Sequence, residues 1–519
     1  MAEYKVLITT SGLGSRLGNL TDYTNKCLVR IADKPAISYI IESYPKDTEF
    51  VITLGHYGNH VKQFLQLAYP DHNFTFMEID KYKGKGSSLG YSIWKCKEKL
   101  NCPFIFHASD TIITNYNFQI PNRNYIIGSH KIDSAQYRTL HLNNNKLIKI
   151  NEKGELNFDF SYVGVAGIYN YKLFFTELTK LIESNYDDIS DVHAINNMLS
   201  TVDFYGEWID IDNWYDVGNT TELFRTKKAF KSNIEILDKK DESIFFFKDF
   251  VIKFFHDTTI NKNRISRAYN LKGLVPEILG STENFYKYKK AKGYLFSKSV
   301  NRSKFINFLE WADQNLWVSK IDSNIKDKCY DFYITKTKKR INQFLNGIQD
   351  KEEYINGELV PPINKLIDSI DTDWLCNGLP SQFHGDFILD NIIETKDGFT
   401  LIDWRQDFAN DLEIGDMYYD LAKLNHNLAI NHDIVNKNLF GYSKDNCYIL
   451  INSKLNECKG VLYSFIKEKG YDLIKVKILT SIIWINMAPL HEYPFSNFLF
   501  NFGKYNLYKN LKLWNQNIL

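Results

Sequence analysis

Two stretches of this sequence set side chains with phosphate chemistry at close spacing. The first starts with an apolar run, Val6 to Thr10, and continues as Ser11-Gly12-Leu13-Gly14-Ser15-Arg16-Leu17, with Lys26 nine residues after Leu17 and a Lys34-Pro35 pair beyond. A glycine turn between a strand and a helix start leaves backbone N–H groups that can wrap a phosphate, and Arg16 and Lys26 supply the charge a polyphosphate needs. The glycines of Gly84-Lys85-Gly86-Ser87-Ser88-Leu89-Gly90 suit a loop whose backbone approaches a nucleobase. Asp110 closes the run Phe104 to Ser109, and Asp216 stands in Trp214-Tyr215-Asp216-Val217-Gly218. Two carboxylates converging at strand ends can hold Mg²⁺ against a triphosphate. The second stretch is His384-Gly385-Asp386-Phe387-Ile388-Leu389-Asp390-Asn391, followed by Leu401-Ile402-Asp403-Trp404. An aspartate five residues before an asparagine on a tight loop puts a carboxylate at an acceptor hydroxyl while the amide oxygen reaches a metal, and the aspartate after the next apolar strand completes a Mg²⁺ site. Taken singly, such an aspartate is more often a turn residue or helix cap, and such a lysine solvated surface; order and spacing argue for chemistry.

The first stretch resembles the sugar-1-phosphate nucleotidyltransferases and the related phosphocholine cytidylyltransferases, over roughly residues 4 to 230. The glycine pair is not the dinucleotide fingerprint, whose third glycine would stand at Leu17, and no Walker A sequence is present. The resemblance implies that Gly12, Leu13, Gly14 and Ser15, with Gly86 and Ser87, hold the nucleotide, that Arg16 and Lys26 are catalytic, and that Asp110 and Asp216 bind Mg²⁺. Glu152, Lys153 and Gly167, within Glu152-Lys153 and the run Gly164 to Tyr169, resemble the part that binds the sugar phosphate. The sequence departs from the family at Thr9-Thr10-Ser11, where alanines are usual, at Asn25 for a proline, and at Ser109 for a glycine, positions that bear on nucleotide preference and turnover.

The second stretch resembles the catalytic loop of the aminoglycoside phosphotransferase and choline kinase family, over about residues 241 to 519. That resemblance implies Asp386 as the base on the substrate hydroxyl, Asn391 and Asp403 as Mg²⁺ ligands, His384 as a brace, Asp416 as an acceptor of backbone hydrogen bonds or a helix cap, and Lys253 as the lysine that meets ATP phosphates. No Asp or Glu lies between Asp257 and Glu277 to position Lys253, and no glycine-rich loop precedes it, which favours a small-molecule kinase over a protein kinase. Trp374, Trp404, Tyr418, Tyr419, Trp484 and Tyr493 are candidates for an aromatic cage around an ammonium, although core packing is the more frequent role of such residues, and a polar pocket for a sugar hydroxyl fits equally.

Short β-branched or aromatic runs alternating with helical spacers up to about Phe230 predict a mostly parallel sheet of βαβ units. The charged segment Lys227 to Glu242 ends that pattern; beyond it the chain is strand-rich to about Ser297 and then mostly helical. The expected architecture is an α/β, Rossmann-like nucleotidyltransferase domain (1–232) fused to a two-lobed, protein-kinase-like α+β domain (241–519). With 519 residues, 44% hydrophobic and 15% aromatic, the chain can bury more than one core and is neither disordered nor low-complexity. Sixty-three Lys+Arg against 62 Asp+Glu give a net charge of +1, so no global field draws it to nucleic acid, and no uninterrupted apolar run predicts membrane insertion. The seven scattered cysteines lack metal or redox spacing, and with no signal-peptide pattern at the start a cytoplasmic location is expected.

Together these readings predict a bifunctional enzyme. It would phosphorylate a small alcohol, amino alcohol or sugar with ATP, then transfer an NMP from a second NTP (CTP, UTP, GTP or dTTP) to the product, releasing pyrophosphate, for surface polysaccharide or lipid head groups. The alternative is a nucleotidyltransferase whose kinase-like half is a non-catalytic binding or scaffold module.

Overall fold

This computed structural model describes residues 4–130, 134–184, 188–231, 239–443 and 445–518. The middle of the expected linker, 232–238, lies outside them. The chain divides into two compact units: Met1–Thr258 with Leu279–Tyr288, and Thr259–Ile278 with Lys289–Leu519.

Apolar side chains alternate along the first strand, Lys5–Thr9, so that Val6 and Ile8 enter one core and Leu7 another, each fully buried. Such a strand needs cover on both faces, and it lies inside a nine-stranded sheet. The order across that sheet is Asn73–Glu78, Glu49–Leu54, Lys5–Thr9, Phe104–Ala108, Phe160–Ile168, Tyr125–Ser129, Tyr205–Ile209, Lys146–Asn151 and Thr139–Asn143. The first four strands are parallel, as expected. The rest is mixed and corrects the expectation of a mostly parallel sheet: Tyr205–Ile209 is parallel to Tyr125–Ser129, but Phe160–Ile168 runs antiparallel to both its neighbours, and Lys146–Asn151 is antiparallel to Tyr205–Ile209 and Thr139–Asn143. Successive strands joined without a crossover helix must reverse direction, and no helix separates Thr139–Asn143, Lys146–Asn151 and Phe160–Ile168.

The strands after the charged segment fall differently from the expected 232/241 boundary. Glu242–Phe246, Phe250–Phe255, Phe285–Lys289 and Ile278–Ser281 form a four-stranded sheet, most of it within the first unit. Its buried Phe245, Phe247, Ile252, Phe254 and Phe285 join the cluster that holds Phe64 and Val6, and the Gln63 amide exchanges hydrogen bonds with Asn284 at 2.8 and 3.2 Å. A run this aromatic is buried wherever the nearest apolar surface lies.

The second unit is mainly helical. Helix Leu473–Met487 packs on Met417–Ala429 and on the long helix Phe495–Ile518. Leu473–Leu490 is the only stretch among the described residues long and apolar enough to cross a membrane, yet 61% of it is buried inside the chain, which makes it this unit's core helix. In the short sheet Tyr294–Leu295, Ile392–Thr395 and Gly398–Leu401, Ile392 pairs with Leu401, which brings the loop of Asp386 and Asp403 to the same end of the hairpin.

Candidate functional site

In the first unit, Lys5–Thr9 and Phe104–Ala108 are parallel neighbours with Thr9 opposite Ala108, so both open at the same edge, outside the carboxyl ends of a parallel sheet. A cavity of about 340 Å³ lies there, lined by Thr9, Ser11, Gly12, Arg16, Lys26, Ser87, Ser109 and Asp110 among others. Gly14 takes a left-handed φ of 70°, and a side chain on it would stand 2.9 Å from Lys26 Cβ; the glycine is what lets the turn close over the lysine stem. Ser15 and Leu13 are exposed beside it, and Gly84 and Gly86 give the neighbouring loop its own left-handed turns.

Lys26 Nζ meets Asp110 Oδ2 at 2.7 Å. The strand Trp214–Asp216 pairs with Thr111–Ile113 and sets Asp216 opposite Thr111, one residue past Asp110. Gly218 marks the convergence: a methyl there would lie 3.0 Å from Asp216 Oδ1, 3.2 Å from Asp110 Oδ2 and 3.5 Å from an Arg16 guanidinium nitrogen. Tyr137 donates to the other Asp216 oxygen at 2.8 Å. Burial works against ionised Asp110, but the charge and hydrogen bond of Lys26, with Arg16 beyond, outweigh it and hold the carboxyl below its usual range. Burial lowers the Lys153 ammonium, and Arg16 and Arg138 lower it further against the pull of Asp216 and Asp110. Glu152 reaches Arg138 at 3.1 Å and His193 at 3.2 Å. Of the expected residues, Arg16, Lys26, Asp110 and Asp216 come together, with Gly12 and Ser87 on the same cavity; Gly167 stands apart. It sits inside strand Phe160–Ile168, where a side chain would strike the Tyr125 ring at 2.1 Å, so its role is close packing and not substrate contact.

Of the departures noted in the sequence, Thr10, Ser11 and Asn25 have hydrogen-bond partners. Thr10 exchanges hydrogen bonds with Thr53 and Ser11 Oγ meets Ser92 Oγ at 3.0 Å, so both hydroxyls are satisfied inside the chain. Asn25 donates to Thr10 and His56 carbonyls at 2.8 and 2.6 Å and accepts from Cys27 N–H at 3.0 Å, pinning the turn before Lys26. Ser109 Oγ is buried with no hydrogen-bond partner among the described residues. Tyr82 and Ser92 also line the cavity; neither stands in a motif, so only tertiary folding exposes their part.

A bifunctional protein GlmU of Methanococcus vannielii is 25% identical over 236 residues, which are 44% of this chain and 55% of that protein. A choline-phosphate cytidylyltransferase of Streptococcus pneumoniae is 27% identical over 113 residues, 21% of this chain and 47% of that one. The solved CTP:phosphocholine cytidylyltransferase of the same species (LicC) covers 44% of this chain and 100% of its own at 21% identity, with a TM-score of 0.39. No family model matches the chain. The N-terminal part resembles sugar-1-phosphate nucleotidyltransferases and choline-phosphate cytidylyltransferase. The chain spans about half the length of the curated relatives it matches.

The second unit gathers Asp386, Asn391 and Asp403, with Lys253 in the first unit on strand Phe250–Phe255, opposite Ile244. Asn391 donates from its side-chain amide to the Asp386 carbonyl at 2.9 Å and to Asp386 Oδ2 at 3.2 Å, which turns its amide oxygen away as the acceptor. The Ile402 N–H donates to the Asn391 carbonyl at 2.8 Å, fixing Asp403 next to the loop. Asp403 adopts a left-handed φ of 56° and is ion-paired at 2.5 Å with Arg264 of helix Thr258–Asn270, the helix in which no carboxylate occurs. His384 braces the loop, with its ring nitrogens on the Ile402 carbonyl and the Asp386 N–H; burial pushes its ring down to about 4, so it stays neutral.

Helix Met417–Ala429 holds this loop with Asp420, Lys423 and Asn427, which continue the spacing of its cap Asp416 by four, three and four on one face. Asp416 caps the helix at the Tyr418 N–H and accepts from Tyr333 at 2.7 Å. Asp420 accepts the His384 and Gly385 N–H groups, each at 2.7 Å. Lys423 pairs with Asp386 at 2.7 Å, and Asn427 accepts the Leu389 N–H at 3.0 Å. Burial raises Asp420 to about 6, whereas Lys423 overcomes burial at Asp386 and takes it down to about 2. Only Asp416 was singled out from sequence; a polar stripe at helical spacing on a buried helix is the signal for the other three. The aromatic candidates do not form a cage: the chain's own Lys475 lies over Trp374 and Tyr418, Trp404 is wholly buried and donates to the Arg264 carbonyl, and Tyr493 is exposed.

Proposed function

We propose that the first unit transfers a nucleoside monophosphate from an NTP to a small phosphorylated acceptor and releases pyrophosphate. The convergence of Lys26, Arg16, Asp110 and Asp216 on one point beside Gly218 carries this reading, with the resemblance of the N-terminal part in support. An all-oxygen pair of carboxylates fits Mg²⁺, which binds through one or two carboxylates plus substrate phosphates. When bound, the ion neutralises the triphosphate and aligns the attack. Arg16 and Lys26 bind the phosphates, the turn at Gly12 to Ser15 presents its N–H groups, and Lys153 with Arg138 orients the acceptor's phosphate. A sugar phosphate and phosphocholine are both in scope, by analogy with the relatives.

The second unit, on this reading, transfers the γ-phosphate of ATP to an alcohol, with Asp386 orienting the hydroxyl and Asn391 and Asp403 as ligands for Mg²⁺. Support comes from the Asn391 amide oxygen, turned away from its own loop, and from the fixed placement of Asp386. A second reading has an observation of its own: Arg264 holds Asp403 and Lys423 holds Asp386, as in a module that binds without catalysis.

The experiment is a matrix of CTP, UTP, GTP and dTTP against choline, ethanolamine, glycerol and hexoses, with ATP and Mg²⁺, scored by pyrophosphate release and product mass. A nucleotide-linked product requiring both ATP and one NTP upholds both activities, with Asp110→Ala and Asp386→Ala each abolishing one step. Pyrophosphate release only from pre-phosphorylated acceptors, unchanged by Asp386→Ala, favours the binding module.

A further inference from the structure

Beside Asp386 the second unit assembles positive charge that its own carboxylates do not balance. The turn Asp331–Thr335 is a π-helix, a form frequent at functional sites, and it leads directly into Lys336. Lys336 Nζ lies 3.9 Å from the centre of the Phe332 ring, and the Arg405 guanidinium lies 4.9 Å from the same ring. Arg405 rests on the catalytic loop: its N–H donates to the His384 carbonyl at 3.0 Å, and a side chain on Gly385 would stand 2.6 Å from Arg405 Cβ. Arg340, one turn after Lys336, reaches Gln343 at 3.1 Å, and Lys423 is on Asp386. Among the described residues no carboxylate is within ion-pair distance of Lys336, Arg340 or Arg405; Arg405 Nε reaches only the Asp407 carbonyl. Burial drives the Lys336 ammonium well below its usual range, and Arg405, Arg340 and Lys423 push the same way against the weaker pull of Asp407. Lys336, Arg340, Arg405 and Lys423 thus form a partly buried group of basic side chains near Asp407, with Lys423 on Asp386, and leaving such charges without a counter-ion is costly.

We propose that the acceptor of the second unit is an anionic alcohol, a small hydroxy compound that already carries a carboxylate or phosphate, and that Lys336, Arg340 and Arg405 bind that anion while its hydroxyl faces Asp386. The inference rests on reading the Asp386 loop as the acceptor site. The bond from the γ-phosphorus to the bridging oxygen of ADP breaks, a bond from phosphorus to the acceptor oxygen forms, and the hydroxyl proton passes to Asp386. The product keeps its original anion and gains a phosphate ester. A cationic amino alcohol would meet repulsion in the same place.

The test uses the full chain with ATP and Mg²⁺ on glycerol, choline, D-glycerate and sn-glycerol 3-phosphate, together with Lys336→Gln/Arg340→Gln and the charge-retaining Lys336→Arg/Arg340→Lys. Thermal unfolding checks that both doubles are folded. The expected result is a KM for one of the two anions at least tenfold below that for glycerol, raised at least tenfold by the Gln pair and largely restored by the Arg/Lys pair, with the KM for ATP within twofold. Which anion wins separates carboxylate from phosphate. Choline or glycerol turned over as well as both anions overturns the proposal, as does a loss that falls on the KM for ATP, which would assign the cluster to the nucleotide. If no alcohol is phosphorylated, calorimetric titration with both anions and inorganic phosphate decides separately: binding abolished by the Gln pair upholds the anion site and removes the kinase reading, and no binding overturns the anion site.

Discussion

Replacing Lys26 with Met removes the ammonium that sits 2.7 Å from Asp110 Oδ2 and leaves the carboxylate behind. At an effective dielectric constant of about 20, a contact this close is worth roughly 6 kcal/mol of attraction, most of which desolvation of the two groups offsets. Breaking a buried pair from one side costs about 3–5 kcal/mol because a charge is stranded. Both side chains here keep about a fifth of their exposure (18% and 19%) and Arg16 still faces Asp110, so the low end applies, about 3 kcal/mol. Asp110→Asn strands Lys26 instead, whose flexible stem can turn to solvent, and costs about 1 kcal/mol. The double variant then gives a coupling of about 2 kcal/mol. The pH dependence supplies an independent sign. In the parent chain Asp110 is depressed, so its contribution is present above the unfolded carboxyl value and is lost as pH falls. In Lys26→Met burial dominates, Asp110 binds its proton more tightly folded than unfolded, and the variant gains relative to the parent as pH falls from 7.5 to 5. Urea unfolding at both pH values measures this, read on the transition that shifts, since two compact units need not unfold together. A deficit below about 0.5 kcal/mol, or one of equal size at both pH values, refutes the reasoning.

Gly14→Ala forces a side chain into a left-handed turn, costing about 1–2 kcal/mol, and onto Lys26 Cβ at 2.9 Å; a lowered melting temperature and slower pyrophosphate release are expected, and parent-like behaviour in both would count against the turn's assigned role. Ser109→Ala removes a buried hydroxyl without a partner and should stabilise the ligand-free chain by about 1 kcal/mol, read from the urea midpoint. Asp420, raised to about 6, binds its proton in the folded state first, so the second unit gains stability as pH falls from 7 towards 4, by about 2–3 kcal/mol in all. Below that range Asp386, at about 2, loses its contribution; melts against pH should show the rise and then the fall, and Asp420→Asn should abolish the rise alone.

What could be read from sequence follows locality. The turn at Gly12 to Gly14, with Arg16, Lys26 and Asp110, is written in strand ends and short spacings, and the same holds for Asp386, Asn391 and Asp403. These residues converge because each motif fixes its own backbone. Gly167 was misread because its neighbours, not its sequence context, decide its role: Tyr125 comes from a strand some forty residues earlier and takes the space a side chain would use. The antiparallel entry of Phe160–Ile168 was hidden in the same way, since a buried strand reads alike in either direction. The placing of the strands after residue 241 in the first unit has a related reason. The aromatic strands after residue 241 state only that they must be buried, and the choice of core is made by Phe64 and its cluster. Arg264 illustrates the limit on charges: the sequence exposes a helix without carboxylates, but only folding shows that its arginine meets Asp403.

The helix face behind the second loop accounts for an aspartate at position 420 although its ionised form is costly there. The consecutive N–H groups of His384 and Gly385 point at one side chain, at 2.7 Å each, and both are buried. Two donors need two acceptors and tolerate no donor opposite them. An ionised carboxylate is acceptor-only, whereas an asparagine would turn an NH₂ onto one N–H, and an alanine would leave both unpaired at about 1–3 kcal/mol each. The rise of Asp420 to about 6 measures the burial that the loop's geometry imposes. One turn further along, the same face places Lys423 on Asp386 and lowers that carboxyl to about 2, so the two acids are driven apart by a single helix. Asp420 sets where the loop lies and Lys423 keeps the Asp386 carboxylate ionised, and because both act from one rigid, buried element, position and charge state at Asp386 stand or fall together.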